Sequence, residues 1–395
     1  MKLLQIASMV PYPVDEGGRV VLYNTTKQFL NRGVEVHFAC PRMNQNDSTG
    51  FSQIVPLHLL DIDPRTRLVG AVNNLFSSLP YNIEKYYSQS ALQKLIKIAT
   101  EVKFDAIHVD TLHMAQYGIE LKRLFGIPIV LREHNFESDI TRRFRDYSLN
   151  PFIRLYATMQ HKRIMSFEAN TVQQFDMVFP ITNEDDAKLR LIAPRMRSTV
   201  ISAGVDTRIL QLSPNHISNK ILFLINYDWP PNKDSLEYYI GQILPNVARL
   251  CPGVTTLLIG KGTEKYKRNA AVNNIEVGGY LQNLNDVSAL GSIAIVPLRI
   301  GSGMRIKILE LMAMGKVVIT TSVGAEGIEA EHGRHLIVSD DPYEFATSIA
   351  HYLGSPEASA RIGENARKLV EEKYSWDIVG KRMFEVYTSL VHASH

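Results

Sequence analysis

The chain has 395 residues, of which 45% are hydrophobic and 21% are charged, with 18 prolines and 24 glycines. This composition is that of a globular protein and excludes a disordered, collagen-like or disulfide-framework chain. At roughly 150 residues per domain, the length predicts two or three hydrophobic cores. The net charge of +3 is too small for a general nucleic-acid footprint, so nucleic acid is not an expected partner.

The cellular compartment is indicated by what the sequence lacks. The two cysteines, Cys40 and Cys251, stand far apart, which is typical of a reducing compartment and makes a structural disulfide unexpected. No run of about 18 uncharged apolar residues occurs, so no membrane-spanning helix is predicted. Gln5 interrupts the N-terminal apolar stretch, which favours a first strand over a signal peptide. We expect a cytoplasmic protein.

Short apolar runs alternate with helical patterns along the chain, as in a parallel sheet with crossover helices. The first half opens with a predicted strand, helix and strand at residues 3–7, 20–32 and 34–39. The remaining predicted elements of the first half are strands at 106–109, 127–131, 177–181 and 199–202 and helices at 92–98, 114–125 and 152–175.

The same alternation restarts after an aperiodic segment at residues 203–220, which predicts a domain boundary near Asp206. Predicted strands of the second half lie at residues 221–225, 256–259, 275–277, 293–296, 317–320 and 335–338. We therefore expect an α/β protein with two doubly wound Rossmann-like domains. The first is predicted to span residues 1–205 and to be completed by a C-terminal helix at 376–395, and the second to span residues 206–375.

In open parallel sheets, ligands bind beyond the carboxyl ends of the strands, so the loops after predicted strands are the first candidates. After the first strand, Gly17 and Gly18 precede a helix, where backbone N–H groups could approach an anion. Taken alone, this pair indicates a tight turn as readily as a ligand site.

A second candidate loop follows the predicted strand at 127–131. There His134 and Asn135 place an imidazole and a carboxamide where they can hydrogen-bond a polyol, which points to a sugar-like substrate. In the alternative interpretation, Asn135 or Ser138 is only a helix N-cap and His134 is a partly buried structural histidine.

The strongest signal is the glycine-rich loop that follows the predicted strand at 293–296. Gly301 and Gly303 permit a tight turn before a helix whose N-terminus attracts anions. Arg305 adds positive charge suited to a diphosphate. Residues two apart on a helix point in different directions, so Arg305 can face the same phosphate as Lys307 only if it precedes the helix.

Lys307 and Glu310 complete this segment. Lys307 adds a second positive charge, and Glu310 could accept hydrogen bonds from ribose hydroxyls. The alternative is that the two side chains merely pair on the helix surface.

Residues 301–318 resemble the retaining family 4 glycosyltransferases of GT-B fold, in particular the branch with Gly-Ser-Gly-x-Arg-x-Lys-x-Leu-Glu. Further matching motifs occur in order along nearly the whole chain, at Gly17-Gly18, 133–135, 204–206, 228–232, Gly279-Tyr280, 324–327 and 374–376. The resemblance implies two Rossmann-like domains facing across a cleft. It also implies transfer of a sugar, with retention, from a nucleotide-diphosphate sugar to a glycan or lipid-linked acceptor in cell-surface polysaccharide or glycoconjugate biosynthesis.

The resemblance also assigns roles to residues. Glu310 would hold the nucleotide ribose, Arg305 and Lys307 the diphosphate, and His134 the transferred sugar. Further residues that it implies in donor binding are Gly17, Gly18, Gly279, Tyr280, Gly301, Ser302, Gly303 and Met304, and those that would contact acceptor or sugar are Arg19 and Asn135. No protein nucleophile, metal or other cofactor is expected beside the nucleotide sugar.

Two departures from the family pattern stand out. Ser302 occupies a position where most members carry Glu, and residues 226–229 replace a basic pair that many members have. Ser302 keeps open a nucleotide-sugar-binding subunit without turnover. A nucleotide-sugar 2-epimerase of the same fold is a further alternative, although no acid and base carboxylates can be identified for it.

The segment from Arg142 to Arg163 is rich in basic residues interleaved with apolar ones. The basic residues are Arg142, Arg143, Arg145, Arg154, Lys162 and Arg163. Such a surface could attract anionic lipid head groups and hold the protein peripherally on the inner face of a membrane. A solvated helix face is the alternative.

Overall fold

The computed structural model describes residues 1–14, 17–42, 50–148, 150–212, 219–267, 274–281, 283–287, 289–301 and 303–393. The chain divides into two compact units, residues 1–202 with 380–395 and residues 203–379. The first unit thus ends a few residues before Asp206, and the chain returns to it at Gly380 rather than at Trp376. Within the described ranges, no helix is long and apolar enough to cross a membrane.

The first unit is built on a six-stranded parallel sheet with the order β3-β2-β1-β4-β5-β6. Its strands are β1 (Lys2–Ile6), β2 (Glu35–Pro41), β3 (Leu57–Leu60), β4 (Ala106–Asp110), β5 (Ile129–Glu133) and β6 (Met177–Pro180). Its helices are α1 (Gly17–Leu30), α2 (Leu68–Asn73), α3 (Tyr81–Glu84), α4 (Gln89–Val102), α5 (Ala115–Phe125), α6 (Glu137–Tyr147), α7 (Pro151–Val172) and α8 (Asn183–Ile192).

The predicted strand at 199–202 is wrong. This segment runs beside β6 and is joined to it by two backbone hydrogen bonds. Thr199 N–H donates to Val178 O at 3.0 Å, and Ile201 N–H donates to Pro180 O at 2.9 Å. Only one bridge forms, between Val178 and Ser198, because Pro180 has no N–H with which to continue the ladder.

The second unit repeats the same architecture, with the strand order β12-β11-β10-β7-β8-β9. Its strands are β7 (Lys220–Leu224), β8 (Thr255–Ile259), β9 (Ile275–Gly279), β10 (Ile293–Val296), β11 (Val317–Thr320) and β12 (Ile337–Val338). Its helices are α9 (Pro230–Tyr238), α10 (Leu244–Leu250), α11 (Ile306–Ala313), α12 (Ser322–Ala325), α13 (Pro342–Gly354) and α14 (Pro356–Leu369), followed by α15 (Trp376–Ala393), which continues into the first unit.

Both sheets are doubly wound and Rossmann-like, as the alternating pattern predicted. In each sheet the strand order reverses beside the first strand, between β1 and β4 and between β7 and β10. Loops that leave the carboxyl ends of these strands diverge to opposite faces and open a crevice, which is where ligands bind in such sheets.

Candidate active site

The loop between β10 and α11 is shaped around Arg305. This residue is extended (φ −90°, ψ 91°) immediately before α11, which confirms the prediction that it precedes the helix. Its side chain is buried, with Nη1 donating to Gly303 O at 2.8 Å. At Gly301, φ is +139° and a Cβ would lie 2.3 Å from Arg305 Nη2. Only glycine fits there without displacing the guanidinium.

Lys307, in the first turn of α11, reaches the neighbouring strand. Its Nζ donates to Leu224 O, at the end of β7, and to Asn232 Oδ1, at 3.1 and 3.3 Å. Asn232 is buried and donates in turn to Asn226 O. Burial, with a contribution from Arg305, lowers the pKa of Lys307 to about 8. Lys307 therefore lies at the strand reversal between β7 and β10, and the alternative of a mere surface pair with Glu310 is wrong.

Glu310 lies one turn further along α11 and is half-buried. Burial raises the pKa of its carboxyl to about 7, although the nearby charge of Lys307 acts in the opposite direction. The helix start therefore combines two cations with a carboxyl that ionises near neutral pH. This is a chemistry suited to a diphosphate and a pair of hydroxyls.

The other predicted donor residues of the second unit lie at the carboxyl ends of β9 and β10. Gly279, with φ +71°, ends β9, and Tyr280 beside it is exposed. Met304 is half-buried and packs against the core of the second unit. Ser302 lies outside the described residues.

In the first unit, Gly17 and Gly18 are the first two residues of α1. A Cβ at Gly18 would meet nothing within 4 Å, so packing does not require glycine at this position. Arg19 follows them, and its Nη1 donates to Pro13 O in the preceding loop at 3.5 Å.

His134 follows β5, and its side chain is only 14% exposed. Its Nε2 lies 3.1 Å from Oδ1 of Asp110, the last residue of β4. Asn135 beside it is half-buried. The structure thus brings His134 to the strand reversal of the first sheet, next to a buried carboxylate.

The proposed capping role of Asn135 or Ser138 is wrong. Helix α6 begins at Glu137, and a carboxylate from α7 supplies its cap. Glu168 accepts hydrogen bonds from the backbone N–H groups of Glu137 and Ser138, at 2.8 and 3.0 Å.

Two residues of these sites were not anticipated from the sequence. Asp110 had a usable signal, because it is a polar residue at the carboxyl end of a strand. The next residue, Thr111, has φ +78°, a strained conformation of the kind that collects at functional sites. Asn232 lies in the matching motif at 228–232, but its contact was not anticipated, since the partner is a lysine 75 positions away.

The basic segment from Arg142 to Arg163 forms much of the antiparallel pair α6 and α7. Its positive charge is partly compensated within α6, where Arg142 and Arg143 pair with Asp139 and Arg145 pairs with Asp146. Large apolar side chains are exposed around the connection between the two helices, with exposed fractions of 59% at Phe144, 67% at Tyr147, 81% at Phe152 and 71% at Leu155.

Two family models match successive parts of the chain. The one described as Glycosyltransferase Family 4 matches residues 16–209, and the one described as Glycosyl transferases group 1 matches residues 218–355. The chain belongs to the family 4 glycosyltransferases. Among the residues of this glycosyltransferase that the structure describes, no group of three or more His, Cys, Asp or Glu side chains could hold a metal ion.

Two relatives are similar in sequence to this glycosyltransferase. An uncharacterized 44.6 kDa protein in the cps region of Klebsiella pneumoniae is 21% identical over 97% of this chain and 99% of its own. An MMP alpha-(1->4)-mannosyltransferase from Mycolicibacterium hassiacum is 26% identical over 49% of this chain and 48% of its own.

Solved structures share the fold over the whole length. Sucrose-phosphate synthase from Thermosynechococcus elongatus is similar with a TM-score of 0.74 at 15% identity, covering 100% of both chains. Anabaena HepE in complex with UDP is similar with a TM-score of 0.70 at 16% identity, covering 98% of this chain and 100% of its own. HepE also has a structure in complex with UDP-glucose. The fold of the family 4 glycosyltransferase is therefore GT-B.

Proposed function

We propose that this glycosyltransferase moves a sugar from a nucleotide-diphosphate sugar to a glycan or lipid-linked acceptor, with retention at the anomeric carbon. The observation that carries the proposal is the start of α11, where the charges of Arg305 and Glu310 both act on Lys307, beside a glycine-shaped loop at a strand reversal. The UDP and UDP-glucose complexes of HepE support a nucleotide sugar as donor.

In the proposed reaction, Arg305 and Lys307 stabilise the negative charge that grows on the departing diphosphate. Glu310 accepts hydrogen bonds from the ribose, and backbone groups at Gly279 and Tyr280 contact the base. His134 contacts the transferred sugar. The departing diphosphate helps to deprotonate the acceptor, which then attacks from the same face, so the reaction needs neither a protein nucleophile nor a metal.

Alanine substitutions at His134 and Arg305 test these roles. Removing one preorganised charge or donor at a reacting centre costs about 100- to 1,000-fold in turnover, so we expect losses of this size in both variants. Nucleotide affinity should fall mainly in Arg305→Ala, because Arg305, unlike His134, is proposed to contact the diphosphate. Matched controls are Arg334→Ala and His392→Ala, which remove exposed side chains of the same types.

Unchanged transfer in both active-site variants would remove the site assignment. A wild-type protein that binds the donor but transfers to no acceptor would favour the binding subunit without turnover. The anomeric configuration of the product, measured by NMR, tests retention, and full activity in EDTA is the expected result if positive side chains replace a metal.

We also propose that the first unit attaches peripherally to an anionic membrane on the cytoplasmic side. The exposed apolar residues at the end of α6 and the start of α7 support this, and α2 with the turn that follows it adds a second exposed group. Leu68, Val69 and Phe76 are 86%, 72% and 93% exposed. Arg163 of α7 donates to Asn74 O at 2.7 Å, so this second group lies beside α7. Apolar side chains bordered by basic ones are typical of membrane-surface helices.

Liposome co-sedimentation tests this attachment. Binding of the wild type should rise with the anionic lipid content and weaken with salt, and Phe152→Ser with Leu155→Ser should reduce it. The matched control is Leu191→Ser, which removes an equally exposed leucine from α8 (84% exposed) and should leave binding unchanged. Equal sedimentation with neutral vesicles would contradict the proposal.

A further inference from the structure

A buried line of polar side chains lies beneath His134. Asp110 is fully buried, and its Oδ1 faces His134 Nε2 at 3.1 Å. Its Oδ2 accepts a hydrogen bond from Gln5 Nε2 at 2.7 Å. Gln5 is itself fixed, since its Oε1 accepts from the Thr26 hydroxyl at 2.8 Å. The carboxylate is therefore held by Gln5 of β1, which Thr26 of α1 fixes in turn.

The line continues to the C-terminal helix α15. His108 Nε2 lies 3.2 Å from Asp110 Oδ2, and His108 Nδ1 lies 2.5 Å from the hydroxyl of Tyr387. Both His108 and Tyr387 are fully buried. Arg132 is also buried nearby, with Nη2 donating to Ser202 O at 3.0 Å.

The charge of Asp110 follows from these neighbours. Burial alone would raise its pKa, but the His108 and His134 imidazoles outweigh that effect and hold the pKa well below its usual range. An ionised carboxylate can only accept hydrogen bonds. The ring nitrogen of His134 that faces it must therefore carry a hydrogen.

We propose that Asp110 is a positioning residue that holds His134 in the Nε2–H tautomer, so that Nδ1 is an acceptor for a hydroxyl of the bound sugar. The inference rests on the proposed function for the identity of the ligand. Its structural part, the tautomer and its cause, stands on the geometry around Asp110.

The free-energy cost of burying the Asp110 carboxylate indicates that this group has a functional role. Burying a charged carboxylate is expensive unless hydrogen bonds surround it. A histidine that only packs needs no such partner, because a backbone carbonyl could satisfy one ring nitrogen. Thr111, directly after Asp110, adds strain with φ +78°.

NMR of protein labelled with ¹⁵N in its histidines tests the inference without substrate. The wild type should show His134 with the hydrogen on Nε2, and Asp110→Asn should change this to a mixture of tautomers or to the Nδ1–H form. The matched control is Asp176→Asn, which removes a carboxylate that accepts from Ile129 N at the opposite end of β5. An Nδ1–H tautomer in the wild type, or an unchanged tautomer in Asp110→Asn, would overturn the inference. The tautomer of His134 in the wild type tests the inference even if Asp110→Asn does not fold.

Kinetics provide the second readout. Asp110→Asn should lower kcat by about 10-fold or more, as is usual for lost orienting partners, while the affinity for the free nucleoside diphosphate, which carries no sugar, stays unchanged. Combined with His134→Ala it should cause no further loss, because both changes remove one interaction. If the losses of the two single variants added up in the double variant, Asp110 would not act through His134. If wild type turned over no sugar nucleotide, the proposed function would fail, but the tautomer measurement would still decide the role of Asp110.

Discussion

Burial acts in opposite directions on the two charged groups of α11. It lowers the pKa of Lys307 to about 8 and raises the pKa of Glu310 to about 7. Lys307 is therefore charged below about pH 8 and Glu310 above about pH 7. Both charges are present together only in the interval between these values.

We predict that the affinity for UDP-glucose, if this is the donor, is highest between about pH 7 and about pH 8. Above this interval Lys307 loses the charge that attracts the diphosphate, and below it Glu310 becomes protonated and accepts ribose hydroxyls poorly. Isothermal titration from about pH 6 to about pH 9 measures the profile, because the diphosphate of a sugar nucleotide does not titrate there. Lys307→Arg should remove the alkaline decline. An affinity independent of pH would contradict the assignment of both residues.

Gly301→Ala tests the shape of the loop. Its φ of +139° and the 2.3 Å approach of a Cβ to Arg305 Nη2 would strain the backbone and displace the guanidinium. We expect about 1–3 kcal/mol of strain in the folded state, and a lower nucleotide affinity because the displaced guanidinium no longer faces the diphosphate. Gly354→Ala is the matched control, because a Cβ there meets nothing within 4 Å. Equal affinities of Gly301→Ala and wild type for the sugar nucleotide that wild type binds would show that the loop does not hold the donor.

The N-terminus of α6 is capped by a carboxyl group from the neighbouring helix. Glu168 of α7 accepts from two backbone N–H groups at the start of α6. Burial raises its pKa to about 8, although its hydrogen bonds with Ser138 and the Glu137 backbone act in the opposite direction. The folded state therefore binds a proton at Glu168 that the unfolded chain releases at a lower pH.

This pKa gives a stability prediction with a definite sign. Because the folded state binds more protons, stability should fall as pH rises between the ordinary Glu value near 4.5 and about 8. Glu168→Gln has no such proton and should show a smaller decline than wild type. Calorimetric unfolding at about pH 5 and about pH 8 measures the difference. Parallel declines in both proteins would contradict the assignment.

The elements predicted correctly are those that local patterns determine. Strand β10 is buried on both faces and therefore reads as an unbroken apolar run, whereas β4 is equally buried but carries His108 and Asp110. The edge strand β3 was missed, since His58 and a polar surround weaken its pattern. The strand at 199–202 was wrong because the interruption, Pro180, lies in a different segment of the chain.

Some features of the candidate site could likewise be predicted from local sequence, and others could not. The extended conformation of Arg305 could be predicted, because it follows from helix geometry within three residues. Asp110 and the cap from Glu168 could not be, because their partners lie 24 and about 30 positions away and only the fold brings them together. The roles of Arg305, Lys307, Glu310 and His134 remain predictions that rest on the family resemblance.

The C-terminal helix α15 returns the chain to the first unit. Helix α15 begins in the second unit and belongs to the first from Gly380 onward. Met383 and Tyr387 are fully buried there, so this part of α15 contributes side chains to the core of the first unit.

Gly380→Ala tests this contribution. A Cβ at this position would lie 2.7 Å from Cβ of Gln28 in α1, so the two helices would have to separate. We expect a cost of about 1–3 kcal/mol, as for other overpacked cores, seen by calorimetry as a lower Tm of the first unit. A Tm equal to that of wild type would show that α15 is not tightly packed.

The proposed function requires that the start of α11 holds a nucleotide sugar. The most direct test is a thermal-shift panel of UDP, GDP, ADP and TDP sugars on wild type and Arg305→Ala. A ligand at 100 times its Kd adds about 2.7 kcal/mol to the state that it binds, which raises Tm measurably. We predict that one nucleotide class raises the Tm of wild type and has little effect on Arg305→Ala. Equal shifts in both proteins, or no shift with any sugar nucleotide, would contradict the claim.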